Sequence, residues 1–165
     1  MIILRPVIFV SIVAQLVAAQ SDELDKAKTE YRKAAQTETA RVAYVTKLIR
    51  MRARFAQADD QQWKAVDAEV MRHPVPADSA ELSTFLIGEW ASPRHEYVFR
   101  NDGTWSMLPA EPDATHGTWR IEGNHYLDTD PSGHTRKYTL LLLTVNDFVF
   151  TDGEVVFYET RIGRK

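Results

Sequence analysis

The chain has 165 residues, which is enough for one domain or for a small domain with an appendage. Its hydrophobic share of 44% and its charged share of 26% are those of an ordinary globular protein. The formal net charge of -3 argues against a nucleic-acid-binding protein, because such proteins usually carry a basic domain. The sequence has no cysteine, which excludes disulfide bonds and an anchor built on a lipid-modified cysteine.

Residues 1–19 have the pattern of a secretory signal peptide. Arg5 supplies a positive charge ahead of an apolar run that starts at Pro6, and small residues at 17–19 precede a predicted cleavage site before Gln20. The run is shorter than the roughly 20 residues that a helix needs to cross a bilayer. We therefore expect an exported bacterial protein, periplasmic or secreted, without a stable membrane anchor after cleavage. An uncleaved N-terminal anchor is the alternative.

Residues 20–73 are predicted to form a helical hairpin. From 21 to about 72 the sequence has no proline or glycine and is rich in residues that favour helix. Asp59 followed by Gln62 fits the start of a new helix, because the carboxylate can accept a hydrogen bond from an unpaired backbone N–H and the amide can reach back. We expect a long helix over 22–57 and a short helix over 60–72, and then a proline-containing linker over 74–81.

Apolar residues repeat along the predicted long helix in steps of three, four and seven, which places them on one face. The second helix is too short to cover this face, since it would measure only about 20 Å at 1.5 Å per residue. We therefore predict weak self-association, or docking of a partner, through residues 24–45.

After Leu82 the sequence pattern changes to that of strands. Turn signals recur at short intervals, and apolar-rich runs of strand length lie between them. Eight strands are predicted, over 88–92, 95–100, 104–108, 117–122, 125–129, 135–144, 147–151 and 154–162. Alternation predicts an inner face made of Tyr97, Phe99, Trp105, Met107, Trp119, Ile121, Phe148 and Phe150. Eight antiparallel strands suffice to close a barrel, in which these side chains leave at best a narrow pocket.

Gly88 and Trp90 stand at the head of the first strand, and Arg161 lies near the end of the last. They resemble the Gly-x-Trp motif and the last-strand arginine of lipocalins and related calycin barrels, and 83–87 resembles the short helical turn at their base. The resemblance covers residues 82–162 and is closest to small bacterial lipocalin-like domains. It implies an α+β protein in which residues 82–165 form an eight-stranded antiparallel up-and-down β-barrel. It also implies that Arg161 packs over Trp90, a contact that a guanidinium and an indole favour.

Tracing the strands places several histidines and carboxylates at the end of the barrel opposite Trp90 and Arg161. The residues that we expect to bind a ligand there are His95, Glu111, His116, Asp130, His134 and Asp152. Imidazole and carboxylate groups are also ligands for zinc and other divalent cations. A metal site at the histidine rim is therefore one alternative, and solvated loop residues without a role are the other.

The sequence contains no pattern typical of an enzyme: no serine lies in a nucleophile elbow, and no glycine-rich loop opens a helix. We therefore predict a non-enzymatic binding module without a cofactor, whose ligand is a small molecule or an envelope component at the open end of the barrel. The alternative is an interaction protein, in which the helical hairpin docks an envelope protein and the barrel is a filled scaffold. Cavity volume distinguishes these two, since ligand pockets start near about 300 Å³.

Overall fold

The computed structural model describes residues 22–34, 37–58, 61–77, 82–108 and 116–163. The predicted signal peptide and its cleavage site lie outside these residues. The chain divides into two compact units, a helical unit that ends at Glu69 and a β unit that starts at Val70. The predicted class, in which helices precede an antiparallel barrel, is confirmed.

Three helices are found before the barrel, namely α1 over 22–33, α2 over Glu38–Gln57 and α3 over Trp63–Val70. Two ion pairs show that α1 runs antiparallel to α2. Glu23 pairs with Arg54 at 2.5 Å, and Glu30 pairs with Lys47 at 2.7 Å. The first helix thus returns along the second.

The prediction of one helix over 22–57 is wrong, because the chain starts a new helix at α2. Thr37 has an extended backbone with φ −92° and ψ 160°, and its hydroxyl accepts a hydrogen bond from the Ala40 N–H at 3.2 Å. Such a side chain satisfies one of the unpaired N–H groups at a helix start, so Thr37 caps α2. Asp59, the cap predicted for the next helix, lies outside the described residues.

α3 folds back along α2 and is shorter than the predicted helix over 60–72. Arg52 of α2 pairs with Asp67 of α3 at 3.2 Å, and the phenol of Tyr44 donates to Glu69 at 3.0 Å. Instead of the predicted hairpin of two helices, the described residues form three helices, and α2 runs antiparallel to both α1 and α3.

Part of the predicted docking face at 24–45 is buried. Leu24 is 8% exposed, Ala27 1% and Val45 0%. Because α1 turns back along α2 instead of continuing it, residues 24–45 do not form one continuous helical face. Self-association through this segment stays a prediction, but the continuous face on which it was based is not present.

The β unit is a closed barrel in which each strand pairs antiparallel with its neighbours in the chain and β1 pairs with β8. The strands are β1 Gly88–Ala91, β2 Glu96–Phe99, β3 Thr104–Leu108, β4 His116–Glu122, β5 His125–Thr129, β6 Thr135–Leu143, β7 Asp147–Thr151 and β8 Val156–Arg161. Each bound lies within two residues of the prediction. Closure pairs the first strand with the last and so leaves no open sheet edge between them.

A short helix, α4 over Leu82–Leu86, closes the base of the barrel. The Trp90 indole is fully buried and donates its N–H to the Leu86 carbonyl at 2.8 Å. The predicted packing of Arg161 over Trp90 is confirmed, with the guanidinium carbon 4.3 Å from the ring centre. The same guanidinium donates to three backbone carbonyls, those of Phe85, Ile87 and Val145.

Gly88 is needed at its position because of this guanidinium. Its φ of +138° lies where residues with a side chain are strained, and a Cβ there would collide with Nη1 of Arg161. Gly88, Trp90 and Arg161 therefore form one packing unit, which gives a physical reason for their spacing in the sequence.

The first half of the predicted linker over 74–81 belongs to the β unit. Val75 is buried in the barrel core, and its N–H donates to the Leu140 carbonyl at 2.9 Å. Residues 78–81 lie outside the described part of the chain.

Candidate functional site

A cavity of about 310 Å³ lies inside the barrel. Eight of the thirteen described residues that line it are aromatic, namely Tyr97, Phe99, Trp105, Tyr126, Tyr138, Phe148, Phe150 and Phe157. Five of these rings were predicted to face inward, and Met107 lines the cavity as predicted too. The rings pack edge to face or stacked, as at Phe148 and Phe150, whose centres lie 4.5 Å apart. The aromatic residues thus form a wall and leave a pocket.

An ion pair forms part of the cavity lining. Asp128 on β5 and Arg136 on β6 are paired in register, with 2.7 Å between the carboxylate and the guanidinium. Burial raises the pKa of Asp128, and the neighbouring guanidinium offsets this only in part. The indole N–H of Trp105 also lowers this pKa through hydrogen bonding to Asp128, although neither this N–H nor the second carboxylate oxygen of Asp128 has a partner with ordinary hydrogen-bond geometry among the described residues.

Glu159 is a buried carboxyl in the same cavity, 6% exposed, and lies on β8 in phase with Phe157. Its Oε2 has no hydrogen-bond partner in the described part of the chain. Burial alone raises the pKa of Glu159 from 4.5 to about 8. At neutral pH this side chain is therefore mostly the neutral acid, because a charge would be poorly solvated there.

Three phenols complete the polar lining. Burial raises the pKa of Tyr97, Tyr126 and Tyr138. The negative charges of Glu159 and Asp128 further oppose ionisation of Tyr97. All three therefore remain neutral at pH 7 and can donate or accept one hydrogen bond each.

Most of the predicted ligand residues lie away from the cavity lining. The three rim histidines are exposed: His95, His116 and His134. Asp152 is exposed too, and its carboxylate accepts from the N–H groups of Glu154 and Val155 at 2.9 Å. Asp130 does line the cavity, although its carboxylate also accepts from the Ser132 N–H at 2.9 Å. Glu111 lies outside the described residues.

The charged residues of the cavity that are absent from the predicted site are Asp128, Arg136 and Glu159. Each lies two positions from an inward aromatic residue on its own strand, respectively Tyr126, Tyr138 and Phe157. These three aromatic residues are not part of the predicted inner face. Since side chains two apart share one face of a strand, the same alternation extended to β5, β6 and β8 would have placed these charges inside.

Within the described ranges, no group of three or more histidine or acidic side chains is arranged to hold a metal ion. No helix in this part of the chain is long and apolar enough to span a membrane. A comparison with protein families, curated proteins and solved structures finds no match to this chain. A functional proposal therefore depends on the geometry of the cavity.

Proposed function

We propose that the protein is an exported, non-enzymatic binding module of the lipocalin-like type, which holds a small molecule inside its barrel. The observation that carries the proposal is the cavity of about 310 Å³, which reaches the lower end of the volumes of small-molecule pockets. A filled barrel would instead favour a scaffold whose helices do the binding.

The packing unit at the base supports the lipocalin-like assignment. Trp90, Arg161 and Gly88 contact one another as the Gly-x-Trp resemblance implies. Because α4 covers this end, a ligand would enter from the opposite end, where Asp130 joins the cavity lining.

The lining also has the composition of a ligand site. Aromatic side chains provide most of the wall, and a few polar groups stand at fixed positions among them. Ligand pockets typically combine an apolar wall with a few polar groups that orient the ligand. Asp128, Arg136 and Glu159 would supply that orientation.

A calorimetric titration with 2-naphthol, a neutral bicyclic aromatic molecule, tests the proposal. We expect Met107→Trp to abolish binding, because it places an indole in the cavity. Leu108→Trp is the matched control, since this neighbour on β3 is 40% exposed and faces away from the lining. Circular dichroism checks that both variants fold. Failure of the wild-type protein to bind, or equal binding by the two variants, would contradict the proposal.

A further inference from the structure

We infer that the barrel cavity selects a small organic cation, whose ammonium or similar group contacts the buried carboxyl of Glu159 and whose apolar body lies among the aromatic rings. The inference rests on the proposed binding function and specifies its ligand class.

The charged groups of the cavity are unbalanced. Among the described residues, its lining holds three acidic residues and one basic residue. The guanidinium of Arg136 is already paired with Asp128, and Asp130 is held by the backbone of its own turn. Glu159 is thus left as the acidic group for which a ligand could supply the opposite charge.

A buried oxygen of Glu159 points to a ligand that hydrogen-bonds to it. Oε2 of Glu159 lacks a partner among the described residues, although this residue is only 6% exposed. Buried polar atoms in folded proteins are nearly always hydrogen-bonded. The neutral acid at this position can also donate, but an adjacent cation favours the ionised form, which can only accept, and an ammonium group brings three donors. A cationic amine would therefore supply the donor that Oε2 lacks.

The aromatic wall favours the same charge. Phe148 is the register partner of Glu159 across β7 and β8, and Phe157 lies on the same face of β8. The faces of aromatic rings are negative and attract cations. A ligand anion would meet these faces together with the carboxylates of Asp128 and Asp130, and the guanidinium of Arg136 is already paired with Asp128, so the lining disfavours an anion.

Binding of a cation next to Glu159 would be coupled to the release of a proton from this carboxyl group. Burial raises the pKa of this carboxyl to about 8, so it is mainly neutral at pH 7, and an adjacent cation would favour its ionised form. The other titratable or charged groups in the lining are Tyr97, Tyr126, Asp128, Asp130, Arg136 and Tyr138. Binding of a cation at pH 7 is therefore expected to release a proton from Glu159.

Three probes that share a phenyl ring test the inference by calorimetry at pH 7: 2-phenylethylamine, 2-phenylethanol and 3-phenylpropionate. We expect the amine to bind most tightly and the propionate most weakly. Glu159→Gln should weaken binding of the amine about 10- to 100-fold, as expected for a lost charge-assisted hydrogen bond, with little effect on the alcohol. Glu154→Gln removes an exposed carboxylate near the same strand and should change neither.

Titrations of the amine in two buffers of different ionisation enthalpy measure the released proton, which Glu159→Gln should abolish. Comparing the probes and measuring proton release need only the wild-type protein, so they remain decisive if the variant does not fold. Equal or tighter binding of the alcohol or the propionate would overturn the cation inference and leave the proposed function standing. Absence of binding by all three probes, or no effect of Glu159→Gln on the amine, would also overturn it. The titration with 2-naphthol decides the proposed function separately.

Discussion

Glu159 holds a carboxyl group inside the barrel, and this placement makes stability depend on pH. Its pKa rises from 4.5 when exposed to about 8 in the folded protein. Between these values the folded state binds more protons than the unfolded state, so stability falls as pH rises. The contribution is fully present below pH 4.5 and is lost by about pH 8, with a size on the order of 2–4 kcal/mol.

We expect Glu159→Gln to remove this pH dependence, because glutamine has the shape of the neutral acid and cannot ionise. The variant should be as stable as the wild-type protein near pH 4.5 and more stable at pH 8. Denaturant unfolding at both pH values measures the difference. Glu154→Gln, at an exposed position, should follow the wild-type protein throughout. A Glu159→Gln variant that is no more stable at pH 8 would mean that the carboxyl is better solvated than its burial indicates.

The contact of Arg161 with Trp90 is a second residue-scale feature that can be measured. Trp90 is fully buried, so Trp90→Ala should cost about 3–5 kcal/mol of unfolding free energy. Arg161→Ala should cost less, although it also loses hydrogen bonds to backbone carbonyls. Because the two side chains touch, the double variant should differ from the sum of the single ones by at least about 0.5 kcal/mol.

Trp119 supplies the control for this double-mutant cycle. Its indole donates to the carbonyls of Arg100 and Thr104 at 3.2 and 3.0 Å, whereas the Arg161 guanidinium donates to other carbonyls. The costs of Trp119→Ala and Arg161→Ala should therefore add. Additivity in the Trp90 cycle as well would show that the stacking over the indole contributes no coupling energy.

The cap at the start of α2 can be tested by substitution. Thr37→Ala removes the side-chain cap and should lower stability by about 1 kcal/mol. Thr39→Ala is the matched control, since Thr39 is an exposed residue inside α2, where alanine is the better helix former. It should leave stability unchanged or raise it slightly. Equal losses in the two variants, measured by thermal unfolding, would argue against a helix start at Thr37.

The elements differ in how well the sequence predicts them. The strands follow from alternation and from turn residues, which are both local, and all eight lie within two residues of their predicted bounds. The break before α2 has only a weak local signal, the capping residue Thr37 followed by Glu38, because no proline or glycine occurs between 22 and 57. It depends on α1 returning along α2, as in the Glu23–Arg54 pair, and helix propensity carries no information about such contacts.

At the scale of the barrel, the sequence predicts the inner wall better than the site. The alternation of residue types along the strands predicts which aromatic rings face inward. The exposed histidines of the rim are polar residues of loops or strand ends, and they do not line the cavity. The volume that the rings leave depends on closure of β1 on β8 and on how the rings pack. Neither property can be read from the alternation of residue types.

Export concerns the whole molecule and stays a prediction. We expect the exported protein to begin at Gln20, because cleavage after Ala19 follows the small residues of the signal pattern. N-terminal sequencing or an intact mass measures this. Ala19→Arg places a large charged residue at the cleavage position and should cause the uncleaved precursor to accumulate. Finding Met1 on the wild-type exported protein would contradict the prediction.

The indole of Trp105 gives the barrel a spectroscopic property. Its ring lines the cavity. Trp63, by contrast, lies at the start of α3, with the guanidinium carbon of Arg52 5.3 Å from its ring centre. Indole emission shifts with the polarity around the ring and with hydrogen bonding of its N–H. A molecule that enters the cavity would therefore change the fluorescence of Trp105 directly, so that the protein carries its own optical reporter of occupancy without any attached label.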